Sequence, residues 1–453
     1  MGTDRYQLGL REAVERIRTG VLTSEDYTSA LLERIAQCEP RIHAFAWLDR
    51  AAALEKARVA DRRHAAGEQL GLLHGIPVGI KDIIATAGIP TEMGSALFAG
   101  RVPKQSATVV QRIQAAGGFV LGKTVTAELA YFHPGATRNP WNAAHTPGGS
   151  SMGSAAAVAA GAVPLALGTQ TNGSVIRPAA FCGCIGYKPS AGLLGRSGIQ
   201  PFSPTLDQVG VFTRSVEDAA LAVAALIGPD PDDVASDAEA CGRARLWPLA
   251  PSSAPPRLAA VRSPVWGQAE PAQQELFVAS VARLRAAGAS VEEVELPAAF
   301  GAAHAVQRTI MYAEGARTLG TLQAEHRAAL SDALNRLIDE GRAIGDTALA
   351  TALAERRVLQ DRLARFLAGY DAIVTPPARG EAPATREHTG DPVFCTIWTL
   401  VAAPALTLPA GRGPQGLPLG LQVVGAAHDD AQMLAAARWI ERALDEPRAF
   451  PAL

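Results

Sequence analysis

Between Leu72 and about Leu226 the chain is assembled from short apolar runs, Val78 to Ile84, Phe119 to Leu121 and Val163 to Leu167, separated by glycine-bearing turns and alanine-rich helical stretches. Such runs suit buried strands, and their alternation with helical segments confines this part of the chain to an α/β core. Residues 7 to 66 read instead as an N-terminal helical layer. Leu10, Val14 and Ile17 fall at helical spacing, and Leu31, Leu32 and Ile35 repeat it behind a Thr23/Ser24 cap with Glu25 and Asp26 in the first turn. Residues 228 to 257 mix acidic residues with prolines, so an irregular surface connection is expected there. Beyond it come a helix around 269 to 287 and long helical stretches from 303 to 368. Apolar runs at Ala372 to Val374, Ala405 to Leu408 and Leu419 to Val424 are expected to add strands to the same sheet.

The 453 residues would fit one large α/β domain with an insertion or two domains. With 48% hydrophobic and 19% charged residues, the chain can bury a large core. A formal net charge of -2 and the lack of any run of five basic residues give no electrostatic reason to expect a nucleic-acid partner. The longest apolar stretch, Ala155 to Gly168, is interrupted by Gly161 and Pro164 and falls short of the ~20 residues that span a bilayer. The opening residues Met-Gly-Thr-Asp-Arg-Tyr lack an apolar signal core, so a cytoplasmic location is expected. Five sparse cysteines, Cys38, Cys182, Cys184, Cys241 and Cys395, fit reduced thiols in a reducing compartment better than a disulfide framework.

Three signals compete between Ala107 and Gly173. Gly117-Gly-Phe-Val-Leu-Gly122-Lys123-Thr124 matches the phosphate-loop pattern letter for letter. That motif needs a strand before the loop and a helix at its Lys-Thr end. Here the helix-like Val110 to Ala116 comes first and the apolar run lies inside the motif, so the match is read as coincidence. Gly149-Ser150-Ser151-Met152-Gly153 matches a nucleophile elbow with Ser151 as attacker. An elbow must follow a strand, whereas Asn139 to Pro147 is rich in turn residues and shows no apolar alternation.

The third signal is the segment Pro147-Gly-Gly-Ser-Ser-Met-Gly-Ser-Ala-Ala-Ala through Gly168-Thr-Gln-Thr-Asn-Gly-Ser174-Val-Ile-Arg-Pro, read with Gly79-Ile-Lys81-Asp82 upstream. It resembles the amidase signature family, and the resemblance extends over Gly186-Tyr-Lys-Pro-Ser190, Asp207 to Arg214 and, more loosely, nearly the whole chain. The motifs are most similar to those of malonamidase-like amidases. The resemblance implies a single domain over 1–453, an α/β amidase signature fold with a central mixed β-sheet covered by helices on both faces. Residues 1–66 would form its helical layer, 72–226 its catalytic core, 228–257 the irregular connection, and 258–453 the part completing the sheet and the substrate pocket.

It further implies Ser174 as nucleophile, Ser150 as proton relay behind a cis peptide, and Lys81 as general base, with no cofactor and no metal. Main-chain amides of Thr171, Asn172, Gly173 and Ser174 would form the oxyanion hole, each donor contributing roughly 3 to 4 kcal/mol of transition-state stabilisation. Ser151 would have a supporting hydrogen-bond role. The residues suit these roles. A serine hydroxyl accepts one proton while donating another, so Ser150 can link Ser174 to a neutral amine. Lys81 stands as a lone charge between Ile80 and the pair Ile83 and Ile84. Serving as base there requires burial to lower its pKa from ~10.4 to roughly 7, at a cost of ~4 kcal/mol. A lysine snorkelling to the surface from a strand end, and a Ser174 that only caps a helix, are the structural alternatives.

Three departures from the commonest family pattern are visible. Gln170 and Ile176 stand where Asp and Arg are usual, a paired loss that leaves no buried charge unpartnered. Asn172 stands where Gly is usual, which adds a side chain beside the oxyanion site and narrows the pocket. Arg177 either holds a substrate carboxylate, as in malonamidase-like enzymes, or braces backbone carbonyls near the turn. Phe132, His133, Phe202, Trp398 and Leu400 are pocket-lining positions by placement, and most of them are as well explained as core. The expected function is hydrolysis of a small amide by the chain alone or as a homodimer. Cleavage of carbamates or esters by the same triad is the alternative, and an ammonia-supplying amidotransferase subunit is a further one.

Overall fold

A computed structural model describes residues 5–249, 254–447 and 449–452. Eleven strands among them form one sheet: β1 Phe45–Leu48, β2 Pro77–Lys81, β3 Phe119–Thr124, β4 Leu165–Gln170, β5 Ile185–Lys188, β6 Gln208–Thr213, β7 Arg257–Arg262, β8 Ser290–Glu295, β9 Ala372–Thr375, β10 Ala405–Arg412 and β11 Pro418–Val424. Their order is β1-β3-β2-β4-β6-β5-β10-β11-β9-β7-β8. β2 runs parallel to β3 and β4, and β7 parallel to β8 and β9, while the remaining pairs are antiparallel. The sheet is therefore mixed, as the resemblance implied, and the apolar runs beyond residue 370 do join it.

Helices cover both faces, and the strand residues show why. Side chains alternate across a strand, so a strand buried on both sides needs apolar residues at every position. Leu165 and Leu167 of β4 enter one core with the helices Thr108–Ala115 and Val216–Leu226. Ala166 between them enters a second core with the helices Ser24–Ile42, Met152–Ala159 and Ile176–Cys182. Val120 and Leu121 divide in the same way, as do Val211 and Phe212.

The helix Ser24–Ile42 starts as its sequence suggests, with Asp26 N–H donating to the Thr23 hydroxyl at 3.0 Å. Two expectations need correction. The helical layer of residues 7 to 66 contains a strand, β1, which pairs with the edge of β3. A four-residue run such as Phe45-Ala-Trp-Leu carries too little periodicity to reveal itself, and the open edge of β3 supplies its hydrogen bonds. The connection 228 to 257 is not wholly irregular. It holds the helix Ala238–Arg243, whose first turn is capped by Asp237 accepting from Ala240 N–H at 2.8 Å, and Arg257 already belongs to β7. Part of this stretch, 250–253, lies outside the described residues.

Both rejected motifs have structural explanations. Phe119 to Thr124 is strand β3, so the backbone amides a phosphate would need belong to a sheet strand rather than a loop. Ser151 follows turns rather than a strand. All five cysteines are buried and none is disulfide-bonded. Among the described residues no helix is long and apolar enough to cross a membrane.

Candidate functional site

Three strand ends and two turns converge where β2, β4 and β6 lie side by side. Among the described residues three lysines, Lys81, Lys123 and Lys188, are fully buried, and their partners separate them chemically. Lys123 Nζ donates to Ile84 O at 2.8 Å and Thr91 Oγ1 at 2.6 Å, and pairs with the Asp82 carboxylate at 3.2 Å. Lys188 Nζ donates to Gln208 Oε1 at 2.7 Å, Ala403 O at 2.5 Å and Pro189 O at 3.3 Å. Each therefore meets three acceptors, which the three N–H donors of an ammonium match, although burial lowers the pKa of Lys123 to about 8 and that of Lys188 to about 7. Lys81 differs, because its Nζ contacts two hydroxyls, Ser150 Oγ and Thr169 Oγ1, each at 2.8 Å. A hydroxyl can accept from an ammonium or donate to a neutral amine, so this site tolerates both protonation states. Burial drives the Lys81 pKa well below its ordinary value, and the Asp207 carboxylate opposes that only in part.

Ser150 is buried, and the Gly149–Ser150 peptide is cis. A Cβ on Gly149 would come within 2.5 Å of the Thr389 methyl, which explains a glycine at that position. Arg177, also buried, donates from Nη2 to Gly149 O at 2.7 Å and to Thr389 Oγ1 at 3.0 Å, fastening the peptide that carries Ser150. Ser151 exchanges hydrogen bonds with the Thr169 backbone, donating to its O at 3.1 Å and accepting from its N–H at 3.2 Å. It thus steadies the residue whose hydroxyl meets Lys81.

Thr171 to Ser174 form the turn between β4 and the helix Ile176–Cys182. Thr171, Asn172 and Gly173 of that turn each have an anchor or a fitted neighbour. Thr171 Oγ1 donates to Asp207 Oδ1 at 2.5 Å. Burial raises the Asp207 pKa to about 6, and the Thr171 hydroxyl offsets part of that rise. Asn172 Oδ1 accepts from Thr396 Oγ1 at 2.8 Å, and its main-chain O accepts from Thr399 Oγ1. A Cβ on Gly173 would approach Pro392 at 2.9 Å and Cys395 at 3.1 Å, so the close approach requires glycine. Gln170 closes the arrangement: Oε1 accepts from Val175 N–H at 2.8 Å and Ile176 N–H at 3.0 Å, while Nε2 donates to Thr399 Oγ1 at 2.8 Å. Ile176 is buried in the core, so the neutral pair at 170 and 176 leaves no charge to compensate.

Ser174 is partly exposed and lines a cavity of about 20 Å³ with Thr171, Asn172, Arg177, Phe132 and Phe202. Beyond Tyr131 and Phe132 a vestibule of about 670 Å³ follows, lined by His133, Tyr312, Arg336 and Glu340. Of the residues placed in the pocket from sequence, Phe132, Phe202 and His133 are there. Trp398 and Leu400 are instead core residues, 1% and 0% exposed. The 300 to 400 region supplies Met311, Thr389 and Pro392, while most of the cavity wall comes from residues 130 to 202.

Sequence reasoning missed Thr169, Asp207, Thr389, Thr396 and Thr399. For Thr169 a signal existed: Ile80 pairs with Leu167 in parallel strands, which brings the residue after Ile80 near those following Leu167. The other four are remote in sequence from what they hold.

The family model described as Amidase matches residues 26–434. A glutamyl-tRNA(Gln) amidotransferase subunit of Anaeromyxobacter dehalogenans is 36% identical over an alignment of 483 residues, covering 97% of this chain and 96% of that protein. Among solved structures, the native peptide amidase of Stenotrophomonas maltophilia superimposes with a TM-score of 0.83 at 30% identity, covering 98% of this chain and 99% of its own. The 6-aminohexanoate cyclic dimer hydrolase gives 0.84 at 25% identity, covering 98% of each chain. With the model matching most of its length and a relative this similar along nearly all of it, the chain belongs to the amidase signature family.

Proposed function

We propose that the chain is an amidohydrolase that cleaves the C–N bond of a small amide through an acyl-Ser174 intermediate. Lys81, as the neutral amine, takes the Ser150 proton while Ser150 takes that of Ser174, and Ser174 Oγ bonds to the amide carbonyl carbon. The main-chain amides of Thr171, Asn172, Gly173 and Ser174 receive the oxyanion as the carbonyl π bond opens. On collapse the C–N bond breaks and Ser150 returns its proton to the leaving nitrogen, which would otherwise depart as a poor, unprotonated anion. Lys81 reprotonates Ser150. Water then repeats the sequence on the ester, releasing the acid and restoring Ser174.

One observation carries this reading: a fully buried lysine whose polar partners are two hydroxyls, with no carboxylate in ion-pairing distance among the described residues. Arg177 adds a substrate-binding role. It lines the Ser174 cavity, its Nε has no partner, and among the described residues no carboxylate pairs with it, so a carboxylate on the acyl group would complete its bonding. Its brace on Gly149 O coexists with that role, since the brace uses Nη2 alone.

The test is an activity screen on simple amides. Ser174→Ala, Ser150→Ala and Lys81→Ala should each lose about three orders of magnitude or more, and Ser151→Ala much less. A Ser174→Ala protein as active as wild type would remove the proposal. Parallel ester and urethane substrates measure how far the carbonyl matters more than the leaving group. A second reading, the ammonia-supplying component of an amidotransferase in the cytoplasm, is favoured by the names of the relatives. Glutaminase activity that appears only on adding partner subunits, with none on simple amides alone, would decide for it.

A further inference from the structure

The cavity beside Ser174 holds about 20 Å³, space for roughly one water molecule. Asn172 is the polar residue that closes it next to the nucleophile, and its side chain cannot swing aside without losing a partner. Thr396 holds its carboxamide at 2.8 Å, and Thr399 holds its main-chain oxygen while itself accepting from Gln170 at 2.8 Å. The facing wall is equally fixed. Phe202 is 3% exposed and stacks on Tyr131 with ring centroids 5.5 Å apart. Beyond Tyr131 and Phe132 the space widens to the vestibule of about 670 Å³. A further pocket of about 160 Å³ shares Ala130, Thr171 and Phe202 with the small cavity, whereas Asn172 borders neither of the larger spaces and lines only the tight one beside Ser174.

We propose that the Asn172 side chain is the specificity-determining wall of the acyl subsite, restricting the enzyme to short acyl groups. The inference rests on Ser174 being the nucleophile. Asn172 Oδ1 is taken by Thr396, and among the described residues Nδ2 has no partner, so an acceptor one or two atoms from the scissile carbonyl finds a neutral donor there. Arg177 provides a charged donor in the same cavity. A longer or aromatic acyl group meets Asn172 before its carbonyl reaches the turn, whereas a large amine extends into the vestibule.

The test compares wild type with Asn172→Gly, Asn172→Ala and the isosteric Asn172→Asp on acetyl and benzoyl p-nitroanilides, alongside Ser174→Ala. Covalent labelling by methanesulfonyl and phenylmethanesulfonyl fluoride, read by intact mass, gives the same comparison without turnover. There Ser174 Oγ forms an O–S bond as fluoride leaves and its proton passes to solvent. Truncation should raise the bulky-to-small ratio by about tenfold or more, the effect of relieving a few heavy atoms in a pocket, and Asn172→Asp should leave it unchanged. Ratios within about twofold of wild type for both truncations, or an equal shift in Asn172→Asp, would overturn the inference while an inactive Ser174→Ala left the proposed function standing. A fully active, unlabelled Ser174→Ala would bring down both.

Discussion

Lys81 Nζ and Ser150 Oγ lie 2.8 Å apart, the lysine entering from β2 and the serine from the turn ahead of the helix Met152–Ala159. The contact joins a group that burial forces toward neutrality to one that passes a proton in either direction. Its consequences reach beyond catalysis to how the fold responds to pH.

An amine whose pKa is lowered by folding binds fewer protons in the native chain than in the unfolded one, so stability rises with pH between the lowered value and the ordinary 10.5. The cost of burying Lys81 is fully present below that window and vanishes above it. Lys81→Met should remove this contribution, flattening the gain in unfolding free energy by up to ~1.4 kcal/mol per pH unit in the window. Denaturant titrations of both proteins from neutral to alkaline pH would show it. Equal slopes would mean that Lys81 keeps its proton in the fold.

Activity needs the neutral amine, so kcat/KM should fall as pH drops through the lowered Lys81 pKa. The Asp207 carboxylate raises that pKa, hence Asp207→Asn should move the acid limb to lower pH. Asparagine keeps an oxygen for the Phe202 and Ser203 N–H groups that Asp207 Oδ2 receives, and its amide nitrogen can donate to the Thr171 hydroxyl, so the anchor survives with its direction reversed. A limb that stays in place, or moves upward, contradicts the coupling.

Gln170 is expected to position the nucleophile turn rather than touch substrate. Gln170→Glu keeps the oxygen that receives Val175 and Ile176 N–H but loses the donor to Thr399. Thr399 would turn its proton toward the new carboxylate and release Asn172 O. We expect kcat to fall about 10- to 100-fold with KM nearly constant, the pattern of a displaced transition-state contact. Circular dichroism and a melting curve close to wild type would show that the fold survives.

Lys123 should prove structural. Lys123→Met leaves Asp82, 3% exposed, as a buried charge without its ammonium, at a cost of about 3–5 kcal/mol. Replacing both partners by apolar residues should restore much of that loss. ATP with magnesium should not raise the melting temperature of the wild type, and a clear rise would revive the nucleotide reading of Gly117 to Thr124.

Local pattern carried the periodic elements. Ser24–Ile42 and the strands containing Val78, Phe119 and Leu165 each announce themselves within a dozen residues, because capping and apolar spacing act between neighbours in the chain. Lys81, Ser150 and Ser174 were singled out by the resemblance of their motifs to the amidase signature, because local pattern alone leaves a snorkelling lysine and a helix-capping serine equally open. β1 and the helix Ala238–Arg243 were not legible, being too short to show a period against their surroundings.

Tertiary structure alone decided which of three buried lysines meets hydroxyls, for nothing beside Lys81, Lys123 or Lys188 in the chain tells a hydroxyl partner from a carbonyl or a carboxylate. It also decided how the nucleophile turn is held. Asp207 reaches that turn from just ahead of β6, and Thr396 and Thr399 reach it from the helix Thr396–Leu400, 229 residues away in the bond between Gln170 and Thr399. Side chains choose such partners through the packing of a sheet, and packing is a property of the whole fold rather than of any window of sequence.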